Sequence, residues 1–540
     1  MFEGNQCLTA DRTRIDLWGV VRDEELLRLR ESSRGRSSLE HSWQWFVNNL
    51  VRPRVVPSEG ATQLALSEVP LQIWQAGRTG NHLSVNVTHM VGQLTGPIDV
   101  QAMSRGLVTL VRRHRILTAK IEERETEAYL RLDGSFLPQI EVVNLRECGS
   151  HVPDTSREEW AANFAAKRIW QPFDFDPETA QSSHLMRSFL IVLSDVRSIF
   201  GIVIHHAIAD FMSLVIIAED LTRFYRDFAS GKIPRYSEQS LSFIDHRINL
   251  DNWLASPSGK LAIAHWQAKV AGAPLCALPS SPAGTHAPNG SLRSLSFSIP
   301  SALSSRLREL SRVRKAKLFT IVLVGKLLAI MKACDMRDVL INIGHFGRDQ
   351  SQLFRLVGCF PSWVPVRAAL RGKPDFGGFL SQVEKDCQDL VGAAPVSIAT
   401  LGIQELERCP FFNFADYSTE INSGLFSIPF SVAWPDPQPQ PDGSFRHSLL
   451  IHRAKEGLAG RLFYRSDLYA ALIIKHFIVD MLTVLAIATN APDTQVEKIL
   501  SLCDLPQHRQ PFDAIFDSPA PTARANSSGQ LSSINASASS

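Results

Sequence analysis

Along most of the chain, short β-branched apolar runs take turns with segments whose apolar residues recur every three or four positions. That pattern predicts a mixed α/β protein. Residues 198–204 (SIFGIVI) form one such run and read as a buried strand. From Phe211 to Phe228 the period changes, and Leu214, Ile217, Leu221, Phe224 and Phe228 fall on one helical face. Upstream, Asp99 is placed to cap a helix carrying Val100, Met103, Leu107, Leu110 and Val111, followed by strands at 128–132 and 188–193. Residues 230–254 read as polar and irregular, and 283–291 as a loop. A second half then follows. Ser301 is expected to cap a helix with Leu303, Leu307 and Leu310, before a buried helix at 317–332 and a strand at 339–343. Strands at 448–454 and 457–464 precede a helix at 467–489. The ends differ: 1–58 holds one apolar-periodic piece at 39–50 closed by VRPRVVP, and from about Gln507 the chain turns low in complexity and is expected to be disordered.

At 540 residues the chain exceeds one ordinary core, so two lobes are expected. A net charge of +2 gives no electrostatic case for nucleic acid or an anionic membrane. The basic cluster at 28–36 (RLRESSRGR) reads as a solvated linker or helix end. The eight cysteines are scattered singly with no CxxC pair, which argues against a zinc site or a disulfide framework and for a reducing cytoplasm. The first residues are too polar for a signal peptide. The apolar stretch 318–331 is too short to span a bilayer and is interrupted by Lys326. A soluble, cytoplasmic, monomeric protein is the expectation.

The candidate chemistry sits where the 198–204 strand gives way to the following helix, in the string His205-His206-Ala207-Ile208-Ala209-Asp210. A histidine can take a proton near neutral pH, and a buried carboxylate nearby can fix the geometry around it. His206 is the candidate base or positioner, His205 its structural neighbour and Asp210 the buried organiser. In a chain with 16 histidines such a string also arises by chance, so its context must decide. No phosphate loop, GxSxG elbow or HExxH motif is recognisable.

Six segments in order supply that context, and together they resemble the condensation domain of nonribosomal peptide synthetases. LSEVPLQIW (66–74) resembles the opening motif, with Pro70 and Gln72 where Gln and Arg are usual. In LVRRHRILTAKI (110–121), Arg113, His114 and Leu117 match RHExLRT, while Arg115, Thr118 and Ala119 depart from it. IHHAIADFMS resembles the HHxxxDG core, and HWQAKVAGAP (265–274) a tryptophan-bearing helix segment. VLINIGHFGR (339–348) resembles the strand ending in Gly-Arg, and LVGCFPSWVPVR (356–367) resembles IGxFVNTxxxR. The resemblance covers roughly 60–500.

It implies two chloramphenicol-acetyltransferase-like lobes in a V-shaped pseudo-dimer. The divisions would be an extension and possible docking element at 1–58, lobes at 59–250 and 251–505, and a tail at 506–540. It implies that His206 is catalytic and that Asp210 pairs with Arg348 from the second lobe. Phe211 replaces the motif glycine and Pro361-Ser362-Trp363 replace Val-Asn-Thr, so Phe211, Ser213, Ser362 and Trp363 are expected along a substrate channel.

The implied function is a free-standing condensation enzyme of natural-product biosynthesis. It would move an acyl or peptidyl group from the phosphopantetheine thioester of an acyl or peptidyl carrier protein, supplied in trans, to an amine or hydroxyl acceptor, free or carrier-bound. No metal and no bound cofactor are implied. Two alternatives stay open. One is an acyl-CoA-dependent acyltransferase of the same superfamily, although DFGGF (375–379) lacks the tryptophan of that group's DFGWG motif and reads as a helix start. The other is a non-catalytic module that recruits another enzyme to a carrier protein, with Phe211 marking lost chemistry.

Overall fold

The computed structural model describes residues 55–516 apart from short breaks, the longest at 76–86, 280–291 and 430–445. The apolar piece at 39–50, nearly all of the 1–58 extension, the loop at 283–291 and the tail beyond 516 lie outside the described residues. The first half runs β1 (Gln63–Ala65), β2 (Val87–Thr95), α1 (Val100–Arg113), β3 (Ala119–Arg124), β4 (Glu127–Leu132), β5 (Ile140–Asn144) and α2 (Asp154–Trp170). It continues through β6 (Phe175–Asp176), β7 (Gln181–Ser182), β8 (Met186–Ser194), β9 (Arg197–His205) and α3 (Phe211–Ala229).

Among the described residues, six strands form the first lobe's main sheet in the order β14-β15-β2-β9-β8-β5, in which β14 (Glu420–Asn422) and β15 (Ser427–Pro429) come from the second half. Strand β9 is central and antiparallel to β2, from Val87 opposite His205 to Thr95 opposite Arg197. Phe200, Ile202 and Ile204 enter the core shared with α1 and α3, while Ile199 and Val203 face the layer that holds Ala161 and Ala165 of α2. Burial on both faces is why this strand reads as a continuous apolar run and not as an alternation. Asp99 caps α1 as the sequence predicts, accepting the Ala102 N–H at 2.9 Å.

The halves join through α4 (Phe243–Ala255) and α5 (Pro257–Val270). Residues 243–254 are therefore helical, not irregular. Ser242 and Asp245 form a reciprocal capping box, a Ser-x-x-Asp signal that stands in the sequence but is weaker than Ser-x-x-Glu. Phe243 and Ile244 belong to the first lobe's core, and Leu250 and Trp253 to the second's.

The second half contains β10 (Leu292–Ile299), α6 (Ser301–Arg314), α7 (Leu318–Cys334), β11 (Asp338–His345), β12 (Ser362–Ala369), α8 (Phe376–Gly392) and β13 (Phe411–Ala415). After β14 and β15 come β16 (His447–Ala454), β17 (Gly457–Arg465), α9 (Ala471–Asn490) and α10 (Val496–Leu502). Its sheet is ordered β10-β17-β16-β13-β11-β12 and shares a core with α6, α7 and α9.

Two details differ from the sequence reading. Ser301 is the first helical residue and Pro300 holds the cap position without a side-chain bond; the Ser304 hydroxyl donates to Ile299 O instead, at 3.2 Å. Helix α9 starts at Ala471, after a turn in which Arg465 binds the Asp467 carboxylate. By length and composition α9 could cross a membrane, yet Ile474, Ile478, Leu482 and Leu485 are fully buried in the second core.

Two parts of the second half cross over. Ser427 of β15 pairs with Gln93 of β2. In the connection between β11 and β12, Leu353, Leu356, Val357, Cys359 and Phe360 pack in the first lobe's core. This connection carries the residues that complete the site.

Packing along β9 is tight. A Cβ on Gly201 would lie 2.2 Å from the Phe189 ring, which is itself buried. Gly201→Ala is expected to cost about 1–3 kcal/mol, read as a lower urea midpoint. An unchanged midpoint would mean that Phe189 can move aside.

Candidate active site

The end of β9 delivers His205 to a tight turn, and α3 begins at once after Asp210. Asp210 is extended (φ −111°, ψ −176°) and caps α3 by accepting the Ser213 N–H at 2.8 Å. The Ser213 hydroxyl lies at 2.8 Å from the same oxygen. The crossing connection supplies the remaining partners. Asp210 N–H donates to Gly358 O at 3.1 Å, and Phe360 N–H donates to Asp210 Oδ2 at 3.3 Å.

Arg348 meets this carboxylate with both ends of its fork, Nη2 to Oδ1 at 2.9 Å and Nη1 to Oδ2. Both side chains are buried. Nη2 also lies 3.2 Å from Leu356 O and 3.3 Å from Ser213 Oγ, and the guanidinium stacks 4.1 Å from the Phe360 ring centroid. Gly347 makes the approach possible. Its φ is +75°, and a Cβ there would sit 2.0 Å from Phe360 O.

The two histidines differ in environment. His205 is buried, and its Nδ1 accepts the Ala207 N–H at 3.2 Å. Burial, with the neighbouring His206 and Arg187 adding repulsion, pushes its imidazole down to about 3. It is therefore neutral, with its proton on Nε2. His206 is half-buried, and its Nδ1 lies 2.7 Å from Ala209 O. A carbonyl only accepts, so Nδ1 donates, and in the neutral ring Nε2 keeps the lone pair. His206 is thus held in the tautomer a general base needs.

The four expected channel residues have separate fates. Phe211, the first residue of α3, is half-buried against the first lobe's core. Ser213 is fully buried, and its hydroxyl is occupied by Asp210, Gly358 and Arg348, so it belongs to the junction between lobes and not to a channel. Ser362 is buried at the start of β12 opposite His345, and its hydroxyl has no hydrogen-bond partner among the described residues. Trp363 packs at the edge of the second core, edge-to-face with Phe411 at 4.8 Å.

The sequence reading does not single out Gly347, Gly358, Phe360 or the Ala209 carbonyl. The first three carry a signal, since they stand within the matched segments 339–348 and 356–367. Arg113 and His114 lie away from the site, where they bind Asp220 of α3 at 2.9 and 2.8 Å and fasten α1 to α3.

Comparisons with known proteins identify the family and the fold. Residues 62–508 match the Condensation domain family, and the chain belongs to that family. It is 26% identical over 336 residues to one of the linear gramicidin synthase proteins of Brevibacillus parabrevis, covering 61% of this chain and 4% of the relative. It is 23% identical over 512 residues to isonitrile lipopeptide synthase of Mycobacterium tuberculosis, covering 87% of this chain and 19% of the relative. The chain thus matches only a small part of these relatives' length.

Among solved structures, the X-domain in complex with OxyB from teicoplanin biosynthesis superposes with a TM-score of 0.65 at 18% identity, covering 83% of this chain and 98% of that one. The condensation domain of the monacolin K polyketide synthase MokA gives 0.64 at 15% identity, covering 81% and 99%. The fold is the two-lobed, chloramphenicol-acetyltransferase-like one. Condensation domains are in general amide-bond-forming acyltransferases that work with carrier-protein domains.

Two outcomes are expected from the site's electrostatics. Arg348→Met strands the buried Asp210 carboxylate and should cost about 3–5 kcal/mol in urea unfolding, with Asp210→Asn in the same chain restoring part of it; full stability in the single variant would remove the pair from its structural role. The second concerns pH. Burial pushes His205 and His265 down to about 3 and His89 to about 4. The unfolded chain binds these protons first, so stability is complete above about pH 6.5 and is lost as pH falls below it, by about 1.4 kcal/mol per unit for each such histidine. His205→Gln should flatten that slope by one histidine's share; an unchanged slope would place the neutral form of His205 in doubt.

Proposed function

We propose that this chain transfers an acyl or peptidyl group from the phosphopantetheine thioester of a carrier protein to an amine or hydroxyl acceptor, with the carrier a separate folded unit. The observation that carries this reading is the His206–Ala209 hydrogen bond, which leaves Nε2 of a neutral imidazole as a proton acceptor at the end of β9. As the acceptor's nitrogen or oxygen attacks the thioester carbonyl, Nε2 takes its proton. When the tetrahedral adduct collapses, the carbon–sulfur bond breaks and that proton passes to the departing sulfur. The amide or ester forms without a covalent acyl-enzyme. His205 stays neutral beside the reacting ring, and the Asp210–Arg348 pair holds the turn between the lobes.

General base catalysis of this kind contributes about 10²–10⁴-fold. Holding two substrates together can lower the barrier by up to about 7–11 kcal/mol in ideal cases. The phosphopantetheine arrives with the donor, so the chemistry asks for no group resident on this chain. Amide formation is the first expectation, since that is the family's general reaction. The packing of Phe211 against the core supports an active site over a blocked one.

Intact-mass spectrometry of acyl-loaded carrier proteins, offered with a panel of amines and alcohols, tests this reading. Wild type should unload the carrier and form the condensed product, and His206→Ala should lose about 10²–10⁴-fold. Wild type that binds the loaded carrier yet leaves the thioester intact would replace transfer with recruitment. Turnover of acyl-CoA with no use of any carrier would reassign the donor.

A further inference from the structure

The layer behind the paired histidines, on the side of β9 that faces α2, holds an assembly that the proposed chemistry does not itself use. Arg187 lies on β8, opposite Val203 of β9. Its guanidinium binds the backbone at the C-terminal end of α2, with Nε donating to Arg168 O at 3.0 Å and Nη1 to Pro172 O at 3.2 Å. Nη2 reaches Ile169 O at 3.5 Å and also Gln171 O. These are carbonyls at and just beyond a helix end, where no intrahelical donor remains, so the cation caps α2 from a neighbouring strand.

The face of the same guanidinium lies 4.2 Å from the Phe173 ring centroid. Phe173 in turn meets His205 edge-on, with centroids 5.7 Å apart and planes at 77°. One aromatic ring therefore stands between a fixed cation and the first histidine of the motif.

We propose that Arg187 and Phe173 are positioning residues for the motif: they hold His205 as a fixed, uncharged neighbour, so that His206 alone exchanges protons with substrate. This rests on the reading of His206 as the proton acceptor. The geometry supplies three contributions. Phe173, carried just beyond the capped end of α2, covers one edge of His205, which is buried. The guanidinium sets a positive field that opposes protonation of the buried ring. The Phe173 edge fixes the ring plane in which Nδ1 can accept the Ala207 N–H.

The two charged or titratable neighbours that act on His205 agree in sign. His206 follows it in the turn and Arg187 faces it from β8, and both disfavour its protonation. On β2, His89 is itself held neutral by burial, edge-on to Trp170 at 5.7 Å. Arg168, at the end of α2, is bound to Glu141 and Gln171. Asp174 is the nearby anion, and its charge acts on Arg187. Burial and the like charge of Arg168 push the Arg187 guanidinium down to about 10, which leaves it charged at neutral pH.

A protonated His205 would place a second positive charge next to the ring that must accept a proton. It would also turn Nδ1 into a donor facing the Ala207 N–H. Both consequences would oppose the base.

The test uses the full chain with isotope-labelled histidine side chains, the variants Arg187→Met and Phe173→Leu, and Phe173→Tyr as the conservative partner. The His205 resonance is identified by its loss in His205→Gln. In wild type, His205 should remain in its neutral Nε2–H form from about pH 8 to about pH 5. In Arg187→Met and Phe173→Leu its midpoint should rise by roughly one to two units, and the acidic limb of acyl transfer should steepen and move up with it. Phe173→Tyr should restore the wild-type profile.

If neither variant moves the His205 midpoint or the acidic limb, and the rate falls equally at every pH, Arg187 is a helix cap only and the proposal is overturned. Should Arg187→Met fail to fold, Phe173→Leu decides alone. The titration needs no turnover, so the absence of acyl transfer in wild type would count against the proposed function and leave the His205 result to be read by itself.

Discussion

The bidentate contact between Asp210 and Arg348 is the constraint on which the rest of the arrangement depends. It joins a residue that begins a helix of the first lobe to one that follows a strand of the second, and both are buried. An isolated ion at such a depth is costly, and the pair is tolerable because its surroundings supply further partners. Asp210 accepts from Ser213 and Phe360, and Arg348 reaches Leu356 O and stacks on Phe360. The short turn that presents His206 closes on this pair. Its geometry is therefore set by the junction between the lobes and not by β9 alone.

The histidines show how one environment separates two identical side chains. His205 ends the buried strand and meets the edge of Phe173, which Arg187 stacks on from the other side, while His206 sits half-buried one residue on. The backbone assigns opposite tautomers: an N–H is offered to His205 Nδ1 and a carbonyl to His206 Nδ1. The same chemical group becomes a fixed neutral neighbour in one place and an available base in the next.

Much of this is legible in the sequence, and the parts that are not share a physical reason. Strand β9 and helix α3 announce themselves by period and composition, and Asp99 by its capping position. The Asp210–Arg348 pair requires the resemblance, because no local pattern connects residues 138 positions apart. Ser213 reads as a channel residue, whereas its buried hydroxyl is engaged by Asp210, Gly358 and Arg348, because spacing along a helix does not tell which face a junction will cover. Arg187 carries no local signal at all, since its partners are backbone carbonyls of a preceding helix. The helix at 243–255 escapes a pattern reading because its apolar residues serve two cores and show no single stripe.

The connection between β11 and β12 has a bearing on how such chains can be recombined. Leu353, Leu356 and Phe360 are encoded in the second half yet help to build the first lobe's interior, and β15 extends the first lobe's sheet. A chimera cut in the α4–α5 region would inherit its interior from one parent and a mismatched plug from the other. Exchange of lobes between family members therefore calls for grafting residues 351–360 and β15 together with the first lobe, so that the transplanted unit is discontinuous in the gene.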